Sequence, residues 1–115
     1  MEIRIIQKPI DKKELSIMAQ DQFGDLIKAT VDIKQELIAL GGELHADEEA
    51  LLVEKGSNNE NLWGINLYPR IEGDAWIEFD SMINIKPSFG NNSRNIEDIE
   101  IQSKIRKIID KLIID

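Results

Sequence analysis

The sequence contains no cysteine, which excludes disulfides, thiolate nucleophiles and cysteine-ligated zinc together. The absence fits a reducing compartment. There is a single histidine, so no two-imidazole zinc motif is possible. Positive charge is scarce: 14 Lys and Arg stand against 22 Asp and Glu, a formal net charge of −8. That sign repels nucleic acid at long range, and the basic footprint of a nucleic-acid binder is missing. No apolar run approaches the roughly 20 residues of a membrane-spanning helix. The start Met1-Glu2-Ile3-Arg4-Ile5 lacks the basic-then-apolar pattern of a secretory signal. These absences predict a cytoplasmic protein with neither nucleic acid nor membrane as partner. Also missing are a Gly-x-Ser-x-Gly elbow, a Gly-x-Gly-x-x-Gly turn and a Walker loop. Internal repeats, low-complexity tracts and linkers are absent as well.

What remains is a globular composition, 42% hydrophobic and 31% charged over 115 residues, which predicts one domain spanning residues 1–115 with one core. Residues 2–7 read as an Ile-rich strand ended by Pro9. Asp11 and Glu14 have capping-box spacing, and Leu15, Met18, Ala19 and Phe23 follow at helical intervals, with Gly24 as a stop. Residues 26–33 alternate, placing Ile27, Ala29, Val31 and Ile33 on one face of a strand. Residues 37–40 return as its hairpin partner. The acidic run Asp47-Glu48-Glu49 suits the start of a second helix, and Ser57 to Glu60 that of a short helical turn. Residues 63–68 alternate again. Residues 75–86 give the longest predicted strand, with Ile77, Phe79, Ile83 and Ile85 on its inner face. Asp98 caps a last helix whose apolar stripe includes Ile105, Ile108, Ile109 and Leu112. The order β-α-β-β-α-β-β-α predicts an α+β fold: a two-layer sandwich, mainly antiparallel, with helices on one face of the sheet.

Three clusters hold the candidate chemistry. In Glu43-Leu44-His45-Ala46-Asp47-Glu48 the only imidazole sits among acids, the residue types that proton transfer or a divalent metal requires. On a strand, Glu43 and His45 share a face. The ordinary alternative is a surface histidine beside an acidic helix start. The second cluster is the polar face of the two last strands: Asn66, Tyr68, Glu78, Asp80 and Asn84, a pocket with paired carboxylates or the solvated side of a one-sided sheet. Trp63 and Trp76 are read as core or interface anchors, with Trp63 a ligand platform in the functional reading. The third is the loop Lys86 to Arg94, whose glycine, small polar residues and two cations resemble a phosphate cradle without matching a known phosphate-loop pattern.

The segments GGELHADEEALL (residues 41–52), LWGINLYP (62–69), EFDSMINIKP (78–87) and GNNSR (90–94) resemble a family of small prokaryotic proteins that is a domain of unknown function. The resemblance runs over almost the whole chain. It implies no activity, cofactor or catalytic residue. In that family an Arg is usual at the positions of Lys86 and Asn92, and these departures count against anion binding by the loop.

Two functions follow from the residues. One is a binding or interaction module without catalysis, with no cofactor and a homodimer through an exposed Trp76–Met82 face or an edge strand. The other is a small acid–base or metal-assisted hydrolase. Its catalytic groups would be His45, Glu43, Glu78 and Asp80, with Trp63, Asn66, Tyr68, Asn84 and Arg94 as ligand contacts. Enzyme or not is left open by the sequence, and no set of metal ligands is assigned.

Overall fold

Alternating apolar residues at 27, 29 and 31 need a surface to cover them, and two amphipathic helices supply it. The computed structural model describes residues 2–115. In chain order the elements are β1 (Arg4–Ile6), β2 (Ile10–Asp11), α1 (Lys12–Gln22), β3 (Ile27–Asp32), β4 (Leu37–Leu40), α2 (His45–Glu54), β5 (Leu62–Leu67), β6 (Ile77–Glu78), α3 (Ile99–Leu112) and β7 (Ile113–Ile114). The fold is α+β, as expected. Five strands form an antiparallel sheet in the order β1-β4-β3-β5-β6, while β2 and β7 form a short parallel pair.

Local chemistry sets the helix ends. Asp11 caps α1 by accepting from the Lys13 amide at 2.7 Å, but Glu14 turns to Arg4 at 3.2 Å and leaves the capping box open. Gly24, at φ +92°, closes α1 by donating to Ala19 O at 2.8 Å, a left-handed geometry that suits glycine. Asp98 caps α3 through the Glu100 amide at 2.8 Å.

The two sheet faces differ. On one, Ile27, Ala29 and Val31 pack with Ile38, Leu40, Trp63, Ile65 and Leu67 under Leu15 and Met18 of α1 and Ile105, Ile108, Ile109 and Leu112 of α3. The expectation of helices on one face holds for α1 and α3. The second helix, α2, lies against the opposite face, where Leu52 joins Leu37, Ala39 and Leu62 in a smaller apolar cluster. That face is therefore partly covered, not solvated throughout.

The long strand predicted over 75–86 is the main correction. Only Ile77 and Glu78 pair with β5, and the chain then breaks into short 3-10 turns at Met82–Asn84 and Pro87–Phe89. Two side chains cause the break. Ser81 accepts from the Ile83 amide at 3.2 Å and starts the first turn. Asn84 replaces backbone with carboxamide: it accepts from Gly64 N at 2.8 Å and donates to Gly64 O at 2.9 Å, pairing the edge of β5 as a strand would. Ile83 is consequently half-buried and Ile85 exposed, away from the core. Trp76 packs against the α1–α3 core beneath Lys12, whose ammonium lies 4.2 Å from the ring centre. Met82 is 64% exposed and lines a recess on the α2 side, so the two do not form the common strand face expected for association.

Candidate functional site

Gly64 lets three segments meet on the α2 face. A Cβ built there would lie 2.6 Å from the Ser81 side chain and 3.1 Å from His45 Cδ2, closer than packed atoms tolerate. Against this spot β5, the start of α2 and the Ser81–Asn84 turn enclose a recess of about 320 Å³. Leu44, Ala46, Met82 and Ile83 provide its apolar wall, and Lys28, His45, Asn66, Asp80, Ser81 and Arg94 its polar one.

His45 is the first residue of α2 and is 8% exposed. Its Nε2 lies 2.8 Å from Ile65 O, so Nε2 carries the proton and donates, and the lone pair of the neutral ring is on Nδ1. Burial holds its pKa below 6.5, against the opposing pull of the Ile65 carbonyl. The ring turns its Cδ2 edge toward Gly64. Ser81 Oγ accepts from the Ile83 amide at 3.2 Å and has no hydrogen bond to His45, so the two do not make a nucleophile–base pair.

Asn66 is also 8% exposed. Its Nδ2 donates to Glu78 Oε1 at 2.9 Å and to Asp80 O at 3.2 Å, while its Oδ1 is buried with no partner. Glu78 also accepts from Tyr68 OH at 3.0 Å, and burial together with that carboxylate pushes the Tyr68 phenol up to about 12. Asp80 accepts from Arg94 Nε at 2.7 Å.

Of the residues singled out from sequence, His45, Asn66, Asp80 and Arg94 come together at the recess. Glu78 and Tyr68 stand behind Asn66. Glu43 is exposed in the connection before α2, not on a strand beside His45. Asn84 is fully buried and spent on Gly64 and Arg94 O. Trp63 is buried in the α1–α3 core with the Lys86 ammonium 5.4 Å from its ring centre. Among the described residues, no three His, Asp or Glu side chains converge to hold a metal ion.

The Lys86–Arg94 loop is organised from within. Asn91 Nδ2 donates to the carbonyls of Asn84, Ser93 and Asn95, and its Oδ1 accepts from the Glu97 amide at 2.8 Å. Glu97 in turn accepts from Asn92 N and Ser93 Oγ. A carboxylate therefore occupies the place an anion would take, which removes the phosphate-cradle expectation.

Sequence reasoning passed over Lys28 and Ser81 as site residues and gave Glu48 only to the acidic cluster. Lys28 sits opposite Asn66 in the β3–β5 register. Glu48 is fully buried beneath α2, accepting from Gly42 N at 2.9 Å, with the Thr30 hydroxyl 3.0 Å from Oε1. Burial pushes its pKa up to about 9, so the acid is neutral at pH 7. Helical spacing of Glu48 and Leu52 on one face of α2 was the available signal.

Residues 4–112 match a family model described as Protein of unknown function (DUF5674). The chain belongs to that family. No curated protein and no solved structure matches it. No helix of the described residues is long and apolar enough to cross a membrane.

Proposed function

We propose that this protein is a binding module without catalysis of its own, and that the recess beside His45 holds a small ligand. The observation that carries this reading is the recess itself. It joins an apolar wall to a few convergent polar groups, the composition of small-molecule sites, and its 320 Å³ lies at the small end of their range.

The hydrolase alternative has weaker support because its groups are engaged elsewhere. Asp80 is bound to Arg94 and Glu78 to Asn66 and Tyr68, and His45 donates its Nε2 proton to a hydrogen bond with Ile65 O, which leaves Nδ1 as its one basic atom with neither carboxylate bonded to it. An acid–base pair needs its proton-carrying atom within reach of the substrate.

A thermal-shift screen of metabolites tests the proposal, since a ligand present at 100 times its Kd stabilises the native state by about 2.7 kcal/mol. Amide chemical shifts of a hit should move at Ala46, Asn66 and Ile83. Hits that shift only residues remote from α2 would overturn the assignment. Turnover of an ester that is abolished in His45→Gln would favour the hydrolase.

A further inference from the structure

We infer that this chain forms a homodimer in which β1 pairs antiparallel with β1 of a second copy, across a two-fold axis at Ile5, joining the two five-stranded sheets into one. The recess beside His45 lies against β5, beyond β4 and β3, and is not part of this contact.

The two edges of the sheet differ. At one end β6 has only two residues, and the Asn84 side chain takes both backbone groups of Gly64 on the same side of β5. At the other end β1 pairs with β4 on one side alone. Among the described residues, no turn or loop hydrogen bond engages the backbone of residues 3–9. A shallow groove of about 330 Å³ runs beside the strand, lined by residues 4–10 alone. The outward N–H and C=O groups of β1 are therefore open to water, and such a row is a template for another strand.

Charge and register select a second copy of the same strand. Residues directly opposite in an antiparallel pair point to the same face. Across a two-fold axis perpendicular to the sheet, odd residues of β1 therefore meet odd ones and even meet even. With the axis at Ile5, Ile5 meets Ile5, Ile3 meets Gln7, Arg4 meets Ile6 and Glu2 meets Lys8. Glu2 and Lys8 are exposed and have no ion pair among the described residues. Each gains one across the axis, and the pair occurs twice. Neighbouring registers lose this match. An axis at Arg4 sets that guanidinium against its own copy, and an axis at Ile6 sets Arg4 against Lys8, and like charges directly opposite destabilise a sheet. Pro9, without an N–H, ends the pairing just after Lys8.

The apolar surface agrees. Ile3 and Ile5 are only partly buried, on the α2 face, against the small cluster of Leu37, Ala39, Leu52 and Leu62. A hollow of about 330 Å³ with Ile5, Leu37 and Leu52 in its wall leaves that cluster incompletely covered. Setting Ile5 against Ile5 continues the cluster from one protomer into the other, whereas the larger core under α1 and α3 is closed within the protomer.

The experiment is sedimentation of the full chain from about 1 µM to about 1 mM at about 0.15 M ionic strength, which screens the repulsion between two chains of net charge −8. A dimer should form within that range. Lys8→Glu and Glu2→Lys each put like charges opposite one another twice per dimer, and each should raise the dissociation constant about tenfold. The two changes together should restore it. Both side chains are exposed, so thermal unfolding of the variants at low concentration should match the parent. Single cysteines read the register, since the chain has none of its own. Ile5→Cys should oxidise to a covalent dimer. Gln7→Cys should not, because the two copies of residue 7 are offset by four residues, about 13 Å, beyond the reach of a disulfide. A chain that stays monomeric throughout the range leaves the edge to solvent or to a strand of another protein and overturns the inference. A dimer indifferent to both charge changes, or one in which Gln7→Cys cross-links as readily as Ile5→Cys, overturns the pairing of β1 with itself at Ile5.

Discussion

The two faces of the sheet are built on different principles. Under α1 and α3 the contacts are apolar: Ile27, Ala29, Val31, Ile65 and Leu67 meet Ile105, Ile109 and Leu112, all at 0–1% exposure. Under α2 a smaller apolar cluster, Leu37, Ala39, Leu52 and Leu62, is joined by buried polar groups, Thr30, Glu48, Asn66, Ser81 and Asn84, which are tolerable only because partners are placed for them. An apolar face tolerates inexact neighbours. A polar one holds specific partners, and only a few buried polar atoms, Asn66 Oδ1 among them, go without one. The first face gains its stability from apolar burial, the second from satisfied buried polar groups.

Mutations can break this contrast. The largest effect is expected on the apolar face, where Ile105→Ala should cost about 2–5 kcal/mol in chemical denaturation. A cost under about 0.5 kcal/mol, typical of surface sites, would mean that α3 does not carry the core. On the other face, Asn84→Ala leaves both Gly64 backbone groups and Arg94 O without their bonds. We expect a loss of about 2–3 kcal/mol. If instead the loss is near zero, the carboxamide does not stand in for a strand.

Glu48 sharpens the comparison, because its burial opposes stability. Its native pKa of about 9 lies above the ordinary 4.5, so the native state holds a proton that the unfolded chain releases. The stabilisation this proton brings is full below about pH 4.5 and is lost as pH rises toward 9. Glu48→Gln keeps an acceptor for the Gly42 amide and a donor for Thr30 but cannot ionise. The stability difference in favour of the variant should therefore grow by about 2 kcal/mol between pH 6 and 7.5. A constant difference across that range would show that Glu48 is ionised in the folded protein.

The smallest effect is at His45. Its native pKa is depressed by burial, so below pH 6.5 the unfolded state takes up a proton that the native ring refuses. Stability falls as pH drops through that range. NMR titration of the ring should give a midpoint below 6.5, and a midpoint above it would place a carboxylate beside the imidazolium.

The legible part of the molecule was the part governed by period. Alternation at residues 27–33, the helical stripe of Ile105 to Leu112, and the caps Asp11 and Asp98 depend on neighbours near in sequence, so pattern alone identified them. The same rule misled at residues 75–86. Alternation there is real, but Ser81 bonds the Ile83 amide and Asn84 bonds Gly64, 20 residues away. Local hydrogen bonds from Ser and Asn compete with a ladder, and only the packed sheet supplies Gly64 as their partner.

By itself, then, the sequence determined the α+β class, the core face and the capped ends of two helices, because each follows from side-chain periodicity and short-range hydrogen bonding. Only the tertiary structure decided that α2 crosses to the opposite face, that Glu48 is buried and neutral, that His45 donates its Nε2 hydrogen bond to Ile65 O rather than to a carboxylate, and that Lys28, Asn66, Asp80 and Arg94 share one recess. The physical reason is that burial and partner choice depend on residues brought together from distant parts of the chain, and no local pattern encodes which of several polar side chains will be closed off from water.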